Sequence, residues 1–357
     1  MPGLDGLRAI AIGAVFGFHL GLPGMSLGWT GVQLFFVISG FLITGILLRA
    51  RERPYYFRNF YIRRTLRIFP IYYLVIGIYF LAAYLQGDGA TARLLPYYLT
   101  YTQTYPQLLT RYASAPWLGH TWSLAIEEQF YLMWPFAILV LQGRWRAVAL
   151  GAFALLAVGT RVVVHGHDNP FLSLGWLPTQ LDLLAAGAAI AVLAAGRTAD
   201  QMRRLGYVLS GIGLLISAGM VALAGLQVFW SPITWVPLWF SPYFPTAMAI
   251  FFAGLVTLTA VQARPMRWLA NRPMMRIGKI SYGLYLFHPF VFHWVDRLCS
   301  PLRAMSQGLP VTLAILTAKI AATVLAAELS WRCFEGPINA LKDRLTRKAS
   351  PRAQATG

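Results

Sequence analysis

Apolar runs of roughly twenty residues recur from the start of this chain almost to its end, and short clusters of arginine and lysine separate them. About twenty apolar residues in a helix cross the ~30 Å hydrocarbon layer of a bilayer. Inside that layer a helix satisfies its own backbone hydrogen bonds, which an open strand or a loop cannot do. The pattern therefore predicts an all-α polytopic membrane protein. About ten transmembrane helices fit, near residues 5–23, 31–48, 68–86, 119–141, 147–164, 177–195, 206–225, 245–262, 280–298 and 310–331. Residues 93–120 leave room for a re-entrant segment, and the Trp/Pro-rich stretch 229–245 suits the outer surface. With 57% hydrophobic and 12% charged residues, little sequence is left over for a soluble domain.

The 30 lysines and arginines outnumber the 12 acidic residues. A nucleic-acid partner would call for cations gathered on one face, whereas these fall in the gaps between apolar runs. The positive-inside rule accounts for them. With the N-terminus in the cytoplasm, 24 of the 30 lie on cytoplasmic segments. Arg93, Arg111, Arg161, Arg297 and Arg303 fall outside, and Lys319 lies within the last span. Both termini are thus expected to be cytoplasmic, with a membrane-embedded domain over 1–340 and a basic tail over 341–357. The first run lacks a basic leader and a small-residue cleavage pattern, so it reads as a span rather than a signal peptide. Cys299 and Cys333 belong to opposite membrane faces, about 30 Å apart, and cannot bridge. No Cys/His cluster has metal-ligand spacing, so no metal is expected.

Ionisable side chains in a bilayer are costly and mark polar interiors or functional paths. Arg8 and His19 are eleven residues apart, which returns the second to within roughly 20° of the first and about 16 Å further along the helix. They share a face, either as one polar track or as an anchor and a histidine satisfied by a neighbouring helix. Arg64 and Arg67, three apart at the start of the third span, suit a pair of phosphate groups, although arginines at a cytoplasmic helix end also serve as anchors. In TWSLAIEEQFYLMWP, Ser123 and Glu127 share a face and Glu128 is turned about 100° away. His19 and Glu127 fall at a similar depth. Ser281, Tyr285 and His288 form a polar stripe that must face protein rather than lipid. Asp182 and Lys319 have no partner in their own helices and are expected to pair with each other or with an arginine.

Read together, LDGLRAIAIGAVFGFH, GVQLFFVISGFLIT, RRTLRIFPIYY, TWSLAIEEQFYLMWP, GKISYGLYLFHPF and LSWRCFEGP resemble the acyltransferase-3 family of membrane O-acyltransferases, which includes O-antigen and exopolysaccharide acetylases. The resemblance runs from residue 4 to about 340, over the family's minimal membrane domain. It implies a bacterial inner-membrane enzyme that moves an acetyl group from acetyl-CoA to a saccharide or lipid-linked saccharide. Arg8 and His19 match the family's Arg-x10-His motif, with the histidine catalytic and the arginine on the donor. Arg64 and Arg67 match its coenzyme A-associated pair. Glu127 and Glu128, with Trp122, Ser123 and Tyr131, match the signature of the fourth span. In the sixth span Gln180 stands where a basic residue is expected ahead of Asp182.

On this reading acyl-CoA sets its phosphates on Arg64, Arg67 and Arg8, and its pantetheine arm follows the Arg8 to His19 face. His19 then acts as general base on an acceptor hydroxyl, with Glu127 or Glu128 orienting the imidazole. An acyl-imidazole intermediate is the alternative route. Trp122, Ser123, Tyr131, Asp182, Tyr285 and His288 are placed in the supporting or acceptor pocket. Trp117, Trp122, Trp176, Trp230, Trp235, Trp239 and Tyr243 suit stacking on sugars, and equally suit a membrane-interface belt. Alternative acceptors include a small metabolite such as a macrolide. A proton-coupled transporter would use the same intramembrane residues, but the sequence shows no inverted repeat.

Overall fold

The computed structural model describes residues 1–106, 115, 117–165, 174–230, 240–306 and 308–346. The described residues are helical, without a strand. Ten helices reach 18 residues or more: α1 (Pro2–His19), α2 (Thr30–Ala50), α3 (Tyr56–Leu85), α4 (Trp122–Val140), α5 (Arg144–Val164), α6 (Leu177–Ala194), α7 (Ala199–Ala224), α8 (Phe240–Ala260), α9 (Ser281–Leu298) and α10 (Leu309–Ser330). Each coincides with one of the apolar runs. Seven are long and apolar enough to cross a membrane. The other three, α1, α4 and α9, carry the ionisable residues that lower their hydropathy, and all three contribute to the site.

The largest boundary difference is in α3, which begins at Tyr56 rather than near residue 68. Arginines are good helix formers, so the helix continues through the basic segment that hydropathy alone marks as a loop. Arg64 and Arg67 therefore sit in its third and fourth turns rather than at its mouth. Between α3 and α4 only the short helices Gly89–Ala92 and Leu95–Leu99 and the turn Gly119–Thr121 are described. Trp235 and Trp239, Arg111 and most of the basic tail lie outside the described residues.

Helix directions follow from the contacts. Tyr56 and Tyr61 of α3 donate to the carbonyls of Pro135 and Leu132, both at 3.0 Å, so α3 and α4 are antiparallel. Ser39 of α2 meets Glu127, and Thr44 meets Trp134, so α2 and α4 are parallel. The most extensive interfaces join α7 to α8, α2 to α6 and α5 to α6. At the α2–α6 crossing, a Cβ on Gly40 would collide with the Leu184 carbonyl and one on Gly187 with the Val37 carbonyl. Without a hydrophobic force between helices in lipid, such close backbone approach supplies the packing.

Beside this crossing lies a fully buried ion pair. Arg161 of α5 meets Asp182 of α6 through two parallel contacts of 3.0 and 2.7 Å. It also donates to the carbonyls of Pro242 (2.8 Å) and Thr179 (2.5 Å) and to the Thr246 hydroxyl (2.6 Å), tying α8 into the same knot. Arg161, counted above with the outer residues, lies in the last turn of α5 and is wholly buried in the protein, with 0% exposure. Asp182 does pair with an arginine. Lys319 instead reaches Asp296 of α9 at 2.7 Å.

Candidate active site

Helices α1, α2, α3, α4 and α9 enclose a cavity of about 80 Å³. Arg8, Arg64 and Arg67 line it together with Ser39, Ser123 and Glu127, and Tyr285 closes it along α9. Arg8 is steadied by Asp5 at 3.0 Å. The Arg64 guanidinium lies 4.1 Å above the ring of Tyr131, a cation–π contact that leaves its donors free to point into the cavity. The Tyr131 hydroxyl donates to Ser39 at 3.0 Å, and Ser39 in turn donates to Glu127. Three cations and one carboxylate therefore share a small space with unused hydrogen-bonding capacity. That arrangement suits a polyanion.

Glu127 and Glu128 separate as their helical spacing predicts. Glu127 faces the cavity; Glu128 does not line it, and its Oε1 is buried without a hydrogen-bond partner. Trp122 caps the start of α4 with its ring against Phe36 at 6.0 Å. Ser123 and Tyr285 are joined hydroxyl to hydroxyl at 2.7 Å, and Tyr285 donates to the carbonyl of His120 at 2.7 Å. This pair forms the wall between the arginines and the imidazoles.

Beyond that wall three imidazoles meet. His288 is fully buried, with its ring centroid 4.7 Å from that of His19 and 5.2 Å from that of His120. The ring of His288 is fixed by its neighbour in sequence. Pro289 has no N–H for the Tyr285 carbonyl one turn back. His288 Nδ1–H takes that carbonyl at 2.7 Å. His19 Nδ1–H similarly donates to the Val15 carbonyl at 2.9 Å. A neutral imidazole whose Nδ1 donates carries its lone pair on Nε2. The His19 residue is exposed at the end of α1, and Nε2 is the ring nitrogen left to act as a base. The orienting partner expected for His19, Glu127 or Glu128, is instead a backbone carbonyl. Among the described residues neither carboxylate hydrogen-bonds to it, because Glu127 lies at the level of the arginines, on the other side of the Ser123–Tyr285 wall. Among the described residues no three of His, Cys, Asp and Glu are grouped as metal ligands.

The structure thus brings Arg8, Arg64, Arg67, Glu127, Ser123, Tyr131 and Tyr285 around one cavity and His19 and His288 just beyond it, and it leaves Asp182 in the structural knot. Two members escaped the sequence reading. Ser39 sits in a run that is otherwise almost wholly apolar. His120 stands two residues before Trp122, next to a motif already singled out, and that adjacency is the one signal that pointed to it.

A helical membrane bundle with a cationic cavity beside an imidazole cluster fits the family that the chain matches. Residues 1–328 match the family model described as an acyltransferase domain, and the chain belongs to that family. It is 30% identical over 365 residues to the peptidoglycan O-acetyltransferase OatA of Listeria monocytogenes, a match covering 95% of this chain and 56% of that one. It is 30% identical over 362 residues to the O-acetyltransferase OatA of Staphylococcus aureus, covering 95% and 57%. A putative peptidoglycan O-acetyltransferase of Bacillus subtilis, YrhL, is 29% identical over 364 residues, covering 95% and 55%. The chain spans a little over half the length of these relatives. No solved structure matches it.

Proposed function

We propose that the protein is an O-acetyltransferase of a bacterial inner membrane that moves an acetyl group from cytoplasmic acetyl-CoA to a hydroxyl of an extracytoplasmic glycan. The observation that carries the reading is the stacking of two sites along α1 and α9: three guanidiniums around one cavity, and the His19 imidazole, with Nε2 unbonded, just past its Tyr285 wall. The relatives' names add the transferred group and the class of acceptor.

Acetyl-CoA sets its phosphates on Arg64, Arg67 and Arg8, where planar guanidiniums match phosphate oxygens. The pantetheine arm, about 15–20 Å when extended, covers the ~16 Å rise from Arg8 to His19. To deliver the thioester the arm parts the Ser123–Tyr285 contact. His19 Nε2 accepts the proton of the acceptor hydroxyl as its oxygen attacks the thioester carbon. The C–S bond breaks, and the imidazolium returns the proton to the departing thiolate. Glu127, held by Ser39, balances the arginines when the cavity is empty.

The test is free-thiol release from acetyl-CoA by the purified protein in lipid vesicles, with and without envelope glycans, for wild type and His19→Ala. Release that requires the glycan and falls by ~10²-fold or more in the variant is expected. A protein that neither binds nor cleaves acetyl-CoA, with the variant behaving as wild type, would overturn the donor path from Arg8 to His19 and reopen the transporter reading.

A further inference from the structure

Of the outward aromatic residues, Trp117 stands apart. Its side chain is 44% exposed, yet its ring lies against His293, with centroids 4.1 Å apart and planes 31° from parallel. Its backbone φ is +62°, in the left-handed region that bulky residues usually avoid. It stands three residues before His120, whose ring touches His288, and His293 lies little more than a turn beyond His288 on α9. Trp117 therefore overhangs the outer side of the imidazole cluster. One turn further along α9, Asp296 holds Lys319 at 2.7 Å and Arg303 at 2.8 Å. An exposed indole and a carboxylate bracketed by two cations thus lie on the outer side of the cluster of His19, His288 and His120.

A sugar ring presents an apolar C–H face with a slight positive potential, which an electron-rich indole face attracts, and a rim of hydroxyls that charged planar groups bind. We propose that Trp117 is the stacking platform for the acceptor sugar, holding the ring so that one hydroxyl meets His19 Nε2. The assignment rests on the acyl-transfer reading above. It adds which residue binds the acceptor and that the acceptor binds through a ring face.

The experiment measures acetyl transfer from acetyl-CoA to O-deacetylated peptidoglycan glycan strands for the vesicle-embedded wild type, Trp117→Ala, Trp117→Leu and Trp117→Phe, with acetyl-CoA affinity measured separately. Ala and Leu should raise KM for the strands by on the order of tenfold, with acetyl-CoA affinity unchanged. Phe should restore most of the loss. If Ala fails to fold, as loss of acetyl-CoA binding would reveal, the contrast of Leu with Phe still decides. Equal KM in wild type and Leu, or rescue by Leu as complete as by Phe, would make Trp117 a membrane-interface anchor and overturn the assignment. Failure of the wild type to transfer to any envelope glycan would instead sink the acyl-transfer reading itself.

Discussion

The pair His288-Pro289 shows how a dipeptide can set the chemistry of a site. Proline inside a helix costs about 3 kcal/mol, because it removes one backbone donor and crowds the carbonyl four residues back. Here that carbonyl, on Tyr285, is taken by His288 Nδ1 at 2.7 Å, which fixes the ring beside His19. Pro289→Ala restores the missing backbone bond and frees the imidazole. The expected result is a thermal midpoint no lower than wild type together with acetyl transfer reduced several-fold; unchanged transfer would show that the fixed ring is unimportant. A second prediction concerns Arg64. Arg64→Lys keeps the charge but loses the planar contact with Tyr131, so acetyl-CoA affinity should fall by about tenfold, as calorimetric titration would read. The residues that face the cavity were largely legible because helical spacing alone puts Ser123 with Glu127 and Ser281 with Tyr285. Ser39 and His120 were not, since a serine in an apolar run and a histidine in a turn carry no periodic signal. Their meaning arises only when α2 and α4 lie side by side.

At the level of helices, two kinds of polar residue sit in the bundle, and the structure separates them. Arg8 of α1, Ser123 and Glu127 of α4 and Tyr285 of α9 face an opening. Arg161 of α5 and Asp182 of α6 are exhausted: both guanidinium edges of Arg161 and both oxygens of Asp182 are used, and Thr246 donates to Asp182 at 2.6 Å. A buried pair of this kind adds little net stability over an apolar replacement, but deleting one partner strands the other and costs ~3–5 kcal/mol. Asp182→Ala should therefore lower the thermal midpoint of the detergent-solubilised protein sharply. Combining it with Arg161→Met should recover much of the loss, since the double variant buries no unpaired charge. If the double variant is as unstable as the single, Asp182 matters through its hydroxyl and backbone partners rather than through Arg161. The sequence placed Asp182 in the acceptor pocket because an acidic residue in an apolar span has one appearance whether it is catalytic or clamped. Only its partners tell the two apart, and these come from helices 21 and 64 residues away in sequence.

For the whole molecule, the acyl-transfer reading demands that the arginine cavity open to one side of the membrane and the mouth above His19 to the other. The two cysteines report on this without engineering. Cys299 follows the end of α9 and Cys333 follows the end of α10, and both are free. Helices α9 and α10 are antiparallel, since Lys319 meets Asp296 and a Cβ on Gly283 would touch Ala327. The two thiols therefore lie at opposite ends of one hairpin. Cys299 shares its end with Trp117 and His19, and Cys333 shares its end with the start of α9, which borders the arginine cavity through Ser281. If the 24 inward basic residues orient the chain, an impermeant maleimide added to intact cells stripped of their outer layers should label Cys299, and Cys333 only after lysis. Cys299→Ser should abolish the first signal, and Cys333→Ser the second. The reverse order would put the arginines outside, away from the cytoplasmic pool of acetyl-CoA, and no assignment of Arg64 and Arg67 to its phosphates would survive it. Labelling of both thiols in intact cells would mean that α10 does not cross, and the two-sided path from Arg8 to His19 would lose its membrane.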